Sequence, residues 1–307
     1  MKTVSSITDL IGRTPLLELE RYAKGAPARI LAKLEMFNPI AVKDRPVWFM
    51  IQGAEERGEI KPGDILIEAT SGNTGMALAY IGAMKGYRVV LCLSEIQSVE
   101  RRMVLKALGA EIYLTPAADG TKGAKKKAME LHESTPNSFY VGQHHNLDNR
   151  RAHVETTGPE IWEDTNGEVD IFVAAMGTCG TICGVADYIK PKKPSFVTVG
   201  VEPSEAPMLS KGEWAPHRLM GTSPGFIPKI LDRDQIDEMV TVSVEEAFES
   251  CRKIARKEGL LVGITSGANA LAALRISQRP ENQGKLIVCV FCDSGERYLS
   301  VEGLFRQ

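Results

Sequence analysis

Long apolar stretches are missing from this 307-residue sequence, and no run approaches the ~18 residues that a membrane-spanning helix needs. The opening segment from Met1 to Pro15 also lacks the apolar core of a secretory signal, so a cytoplasmic, soluble protein is expected. Charge of one sign is equally absent. Lys and Arg number 37 against 39 Asp and Glu, a net charge of −2, which leaves no basic field for nucleic acid or an anionic membrane to feel. No internal repeat, low-complexity tract or Pro/Gly-rich linker is found. The 6 cysteines are few for so long a chain and read as reduced, partly buried thiols, not as a disulfide framework. What is there is globular: 43% hydrophobic and 25% charged residues, enough for a sizeable core. The length corresponds to about two domains of roughly 100–200 residues each. With nucleic acid and membrane set aside, small molecules are the expected partners.

Apolar runs rich in β-branched residues alternate with amphipathic stretches. Strands are predicted over 30–35, 65–69, 88–93, 111–114, 171–175, 197–201 and 286–291. Helices are predicted over 45–57, 74–85, 98–108, 123–133, 180–189, 244–258 and 267–277. The alternation argues for an α/β architecture with mostly parallel sheets buried on both faces. One βα series runs from about 38 to 142 and a second from 170 onward, with 137–150 as the crossing point. In such folds ligands bind beyond the C-terminal ends of the strands.

Five segments there could carry chemistry. Glu68-Ala-Thr-Ser-Gly-Asn-Thr-Gly75 leads from a strand into a helix. The hydroxyls of Thr70, Ser71 and Thr74, with free N–H groups at a helix start, suit a carboxylate or phosphate, but ordinary capping and turn chemistry gives the same pattern. Met176-Gly-Thr-Cys-Gly-Thr-Ile-Cys-Gly184 is neither GxGxxG nor a Walker motif. Its glycines permit close backbone approach, which fits a single phosphate ester or a plain tight turn. Lys43, in Asn38-Pro-Ile-Ala-Val-Lys-Asp-Arg-Pro46, sits where a turn meets a helix; it is either a nucleophile toward an aldehyde or a paired surface lysine. Gly263-Ile-Thr-Ser-Gly-Ala268 and Cys292-Asp-Ser-Gly-Glu-Arg-Tyr-Leu-Ser300 have the composition of helix caps.

Other signals carry less. Cys289 and Cys292 fall on a predicted strand, where a spacing of three points them to opposite faces. Cys179 and Cys183 have helical spacing but no partner Cys/His pair, so no metal site is expected. His144-His145 could lie on the surface or edge a cleft, and Lys125-Lys-Lys127 reads as a solvated helix face.

Taken together and in this order, the five segments resemble the fold-type II pyridoxal-phosphate enzymes. The nearest likeness is to the cysteine synthase (O-acetylserine sulfhydrylase) family, with the cystathionine β-synthase catalytic core nearby. The resemblance runs from Ile11-Gly-Arg-Thr-Pro15 to Gly295-Glu-Arg-Tyr-Leu-Ser300 and includes Glu100-Arg-Arg102, Leu108-Gly-Ala-Glu111, Thr156-Thr-Gly-Pro-Glu-Ile161 and Gly225-Phe-Ile-Pro228. It implies a tryptophan synthase β-like fold of two domains, each a mostly parallel twisted sheet flanked by helices. A large pyridoxal 5'-phosphate-binding domain would comprise 1–37 and 149–307, and a smaller mobile substrate-binding domain 38–148.

By the same resemblance, Lys43 forms the Schiff base with the cofactor and serves as catalytic acid and base. Gly177, Thr178, Cys179, Gly180 and Thr181 hold the phosphate, and Asn73 bonds the ring's 3′ oxygen. Thr70, Ser71, Thr74 and Gln143 hold the substrate's α-carboxylate. Thr265 stands where the family usually has a serine bonded to the pyridine nitrogen. A hydroxyl does not hold that nitrogen protonated, which suits α,β-elimination. The implied reaction is β-replacement through an aminoacrylate, as in a cysteine synthase joining O-acetylserine and sulfide into L-cysteine and acetate. An L-cysteine or serine β-lyase or β-synthase, releasing hydrogen sulfide or joining a thiol, would use the same residues. A partner-binding protein of a serine acetyltransferase complex is the reading from another class. A homodimer is the family's usual state.

The sequence departs from the family pattern in places. Asn38-Pro-Ile-Ala-Val-Lys43 is one residue shorter than the usual N-P-x-x-S-V-K and lacks its serine. Cys179 replaces a glycine or threonine. Gly221-Thr-Ser-Pro-Gly-Phe226 stands where G-I-G-A-G-F is common, and Asn146-Leu-Asp-Asn149 lacks a proline. Pro224 should stiffen its loop, with Thr222 and Ser223 adding hydroxyls near the leaving group or nucleophile. Asp232 is read as an acid/base of the same region or as a solvated or capping aspartate. These departures leave the leaving group and nucleophile open. The chain's end soon after Ser300 argues against a haem-binding or regulatory extension.

Overall fold

The computed structural model describes residues 3–70, 72–95 and 99–305. Ser71, expected at the substrate, and Ser98, the expected start of a helix, lie outside the described residues. The strands are β1 (Leu16–Glu18), β2 (Arg29–Lys33), β3 (Ile65–Ala69), β4 (Arg88–Ser94), β5 (Glu111–Thr115), β6 (Ser138–Tyr140), β7 (Ile171–Ala175), β8 (Val197–Pro203), β9 (Glu238–Val242) and β10 (Leu286–Val290). The helices are α1 (Asp44–Glu56), α2 (Asn73–Lys85), α3 (Val99–Ala107), α4 (Gly120–Ser134), α5 (Asp148–Ala152), α6 (Gly158–Asp164), α7 (Gly180–Ile189), α8 (Met208–Lys211), α9 (Val244–Glu258) and α10 (Ile264–Ser277). Among the described residues no helix is long and apolar enough to cross a membrane.

Contacts group the chain into two compact units, one of Met1–Ile11 with Lys43–Asn149 and one of Gly12–Val42 with Arg150–Gln307. The smaller unit is built on a four-stranded sheet in the order β5-β4-β3-β6, with every pair parallel. The larger unit is built on a six-stranded sheet in the order β1-β2-β10-β7-β8-β9, parallel except for the β1–β2 pair.

Alternation along the central strands explains why both sheets need helices on them. In β7, Ile171 and Val173 enter one apolar cluster and Phe172 and Ala174 another. β10 does the same, with Ile287 and Cys289 in the first cluster and Leu286, Val288 and Val290 in the second. Residues of α9 and α10 fill the first cluster, and residues of α6 and α7 the second. Each large apolar side chain so buried contributes about 1.5–3 kcal/mol. In the smaller unit Ile67, Val90 and Cys92 pack on Ala124 and Ala128 of α4. The start of α9 is fixed locally: Ser243 accepts the Glu246 N–H while Glu246 accepts the Ser243 N–H, a reciprocal cap.

β1, β6, β9, α8 and the helical stretch from α5 to α6 have no counterpart among the elements predicted from the sequence. That stretch includes a π-helical segment, His153–Thr157, and α6 carries a proline in its first turn, where no N–H is needed. β10 stops at Val290, so Cys292 lies past the strand and its facing cannot be read from strand alternation.

Candidate active site

In the smaller unit, Lys43 occupies the N-cap of α1, and its carbonyl accepts the Val47 N–H at 3.1 Å. The chain arrives there through buried Ala41 and Val42. The Lys43 charge reaches His144, whose imidazole is pushed down to about 4 by burial, then by Lys125 and then by Lys43. His144 is therefore neutral at pH 7. His145 is exposed and stacks on the Tyr140 ring at 5.7 Å.

β3 ends at Ala69 and α2 begins at Asn73, with Gly72, which has no side chain to offer, as its N-cap. Helix starts of this kind present N–H groups and a positive dipole end to an anion. Beside it, the Thr74 hydroxyl donates to the Gln143 side-chain oxygen at 2.7 Å, and both residues are buried. Gln143 is further held by the Asn149 amide, which donates to its carbonyl at 2.7 Å. The turn before it needs glycine: Gly142 has φ +65°, and a Cβ there would lie 2.1 Å from the His145 ring. Thr70 accepts the Gly72 N–H at 3.4 Å. The four described residues expected at the substrate or cofactor oxygen, Thr70, Asn73, Thr74 and Gln143, thus all belong to this unit.

The larger unit holds the other expected group. β7 ends at Ala175 and α7 begins at Gly180, with Cys179 as its N-cap; the Cys179 side chain makes no cap, and the Thr178 hydroxyl accepts the Gly180 N–H at 3.4 Å. Cys179 takes φ +70°, the left-handed region, which turns successive N–H groups toward one side. A Cβ at Gly177 would lie 2.2 Å from the Gly221 carbonyl oxygen, so the turn has no room for a side chain. A backbone cradle at a helix start suits a phosphate monoester, so the residues present fit the phosphate of pyridoxal phosphate. Thr181 also contacts His153, whose other ring nitrogen meets the Thr157 hydroxyl at 2.8 Å.

At three further places in this unit the structure supplies hydrogen-bond partners. Thr265 lies in the first turn of α10, and its hydroxyl proton goes to the Met220 carbonyl at 2.7 Å, leaving only its lone pairs for a ring nitrogen. Thr222 and Ser223 are buried and donate to the Leu219 and Ala206 carbonyls, both at 2.7 Å, so their hydroxyl protons are committed to their own backbone neighbourhood. Asp232 accepts the Asp234 N–H as a cap and pairs with Arg150, which matches the capping reading and not an acid/base. The 221–225 loop is firmly tied: the Ser223 N–H donates to the Met176 carbonyl, the Trp214 indole donates to the Ser223 carbonyl, and Ser223 itself takes φ +38°.

Glu68 and His153 were assigned no role from the sequence. Glu68 is the one acid in the apolar run Ile-Leu-Ile-Glu-Ala, and His153 stands four residues before Thr157 on a helical stretch. Among the described residues no group of three or more His, Cys, Asp or Glu is placed to hold a metal ion.

Comparison with known proteins places this geometry in a family. The family described as Pyridoxal-phosphate dependent enzyme matches residues 7–293. The probable cysteine synthase of Bacillus subtilis is 44% identical over 306 residues, covering 98% of each chain. The O-acetyl serine sulfhydrylase isoform 3 of Entamoeba histolytica is similar in structure with a TM-score of 0.96 and 41% identity, over 100% of this chain and 92% of that one. The O-acetylserine dependent cystathionine beta-synthase from Helicobacter pylori gives 0.93 and 38%, over 100% of both. With such likeness along its whole length, the chain belongs to the pyridoxal-phosphate dependent enzymes of fold-type II, in the cysteine synthase family.

Proposed function

We propose that the enzyme catalyses β-replacement on an activated serine, converting O-acetyl-L-serine and sulfide into L-cysteine and acetate. The observation that carries this reading is the Thr74–Gln143 pair beside the start of α2, a small buried anion site suited to an amino acid's carboxylate. Bound pyridoxal phosphate supplies the electron sink that stabilises negative charge at the substrate's Cα. Gly177, Thr178, Cys179, Gly180 and Thr181 would hold its phosphate through backbone N–H groups, Asn73 would bond its ring oxygen, and Thr265 would bond its ring nitrogen by turning its hydroxyl from the Met220 carbonyl. Lys43 anchors the cofactor, removes the Cα proton as a general base and returns one after the new C–S bond has formed. Thr70, Ser71, Thr74 and Gln143 orient the carboxylate, so that the Cα–H bond is presented to Lys43.

In this reading the smaller unit takes the amino acid and the larger one the phosphate, the enzyme works in the cytoplasm as a homodimer, and serine acetyltransferase is its candidate protein partner. A β-lyase or β-synthase that releases hydrogen sulfide or forms a thioether is the second reading. It is favoured by the tied Ser223–Pro224 loop and by the full-length likeness to a cystathionine-forming enzyme. Steady-state assays separate the two: O-acetyl-L-serine with sulfide should be turned over far faster than L-cysteine alone or L-serine with a thiol. Preference for either of the latter overturns the first reading.

A further inference from the structure

Glu68 is a carboxyl group with 1% of its surface exposed, in the penultimate position of β3. Its Oε1 accepts the Ala69 N–H at 2.9 Å, and its Oε2 accepts the Gln143 N–H at 3.1 Å. The first of these begins the segment 69–74, and the second belongs to the residue that Thr74 touches. The two strands of peptide that carry the anion site are thus joined through one side chain. A carboxylate offers a full acceptor on each oxygen, whereas an amide or a protonated acid carries a donor on one of its two polar atoms. The anion is therefore the form that accepts one N–H on each side without setting a donor against a donor.

We propose that Glu68 is a positioning residue for the substrate's carboxylate, clasping the Ala69 and Gln143 N–H groups so that Thr70, Thr74 and Gln143 keep one arrangement. This rests on the reading that those residues bind the carboxylate. The clasp is sensitive to protons. Burial pushes the Glu68 carboxyl up to about 7, against the opposing pull of the Gln143, Ala69 and Gly142 N–H groups and of the Lys125 charge. The groups facing this region are Tyr140 of β6, Cys92 of β4, Lys125 and Lys127 of α4, and His144. Tyr140 and Cys92 are pushed up by burial and His144 down, so all three are neutral near pH 7. Glu68 is left as the group of this set that changes charge there.

The test uses the holoenzyme and L-alanine, which has the α-carboxylate and α-amine but no leaving group, with binding followed by the visible absorbance of the cofactor. Glu68→Gln mimics the protonated acid. The ratio of its Kd to that of the wild type should be on the order of tenfold at pH 8 and fall to about twofold at pH 6, where the wild type is itself largely protonated. Cofactor content should be unchanged. Using the ratio removes the α-amine's own pH dependence, which both proteins share. A ratio that is the same at both pH values marks a merely structural role and overturns the proposal; so does a ratio that grows on acidification. If Glu68→Gln does not fold, the wild-type amide resonances of Ala69 and Gln143 should titrate together with a midpoint near neutral pH, and independent or flat titrations overturn the clasp. Thr74→Ala and Gln143→Ala keep the two readings apart. If both weaken L-alanine while Glu68→Gln does not, only the clasp falls; if neither does, the carboxylate reading falls and the clasp with it.

Discussion

The two strand–turn–helix segments of this enzyme, 65–75 in the smaller unit and 171–181 in the larger, use one local design for different ends. Each leaves a buried parallel strand and enters a helix whose N-cap residue makes no side-chain cap, while a threonine hydroxyl accepts one N–H there at 3.4 Å. The larger unit's turn is made of backbone: Cys179 in the left-handed region and Gly177 against the Gly221 carbonyl leave no freedom for side chains. The smaller unit's turn relies on side chains: Thr74, Gln143 and Glu68 form a hydrogen-bonded chain, and an added Cβ at Gly72 meets nothing within 4 Å among the described residues. A phosphate that stays with the enzyme suits the rigid version. In the proposed function a substrate's carboxylate is oriented by the side-chain version.

Variants should separate the two segments, and the largest effect belongs to neither. Lys43→Ala should lower turnover on the order of a thousandfold or more while the phosphate cradle still takes up free cofactor, read by stopped assays and by cofactor fluorescence. Retained turnover would remove the lysine from the chemistry. Next comes Gly177→Ala. Its Cβ meets a backbone oxygen that cannot swing aside, so cofactor affinity should fall roughly ten- to a hundredfold in titrations of the apoenzyme. Thr74→Ala removes one hydroxyl from the side-chain site and should raise the KM for the amino acid about tenfold, with cofactor affinity unchanged. Cofactor loss in this variant would merge the two segments and break the comparison. The smallest effect is that of Cys179→Gly. Glycine holds a positive φ without strain, so the variant should match or exceed the wild type by up to ~1 kcal/mol in thermal unfolding, with cofactor affinity kept.

The central strands were legible because a parallel strand buried on both faces is an unbroken apolar run. β3 and β7 match their sequence-read bounds to the residue. β1, β6 and β9 were not, because each lies at a sheet edge, is partly exposed along most of its length and carries no such run. The stretch from α5 to α6 was hidden by its polarity and by Pro159, which reads as a breaker from sequence but sits in the first turn of α6. At the site, the turns at 70–74 and 177–181 announced themselves through glycine and hydroxyl residues before a helix. What the hydroxyls of Thr222, Ser223 and Thr265 do was not legible. Their partners, the carbonyls of Leu219, Ala206 and Met220, are set by tertiary packing, and any carbonyl can serve. Glu68 was visible as an acid in an apolar strand, but its role depends on the Gln143 N–H, 75 residues away.

The proposed reaction joins sulfide to an activated serine. Purified holoenzyme supplied with O-acetyl-L-serine and sulfide should release L-cysteine and acetate in equal amounts, with a kcat/KM for O-acetyl-L-serine well above that for L-cysteine or L-serine, and Lys43→Ala should abolish both products. Acetate release without L-cysteine, or a preference for L-cysteine with net sulfide production, would contradict it.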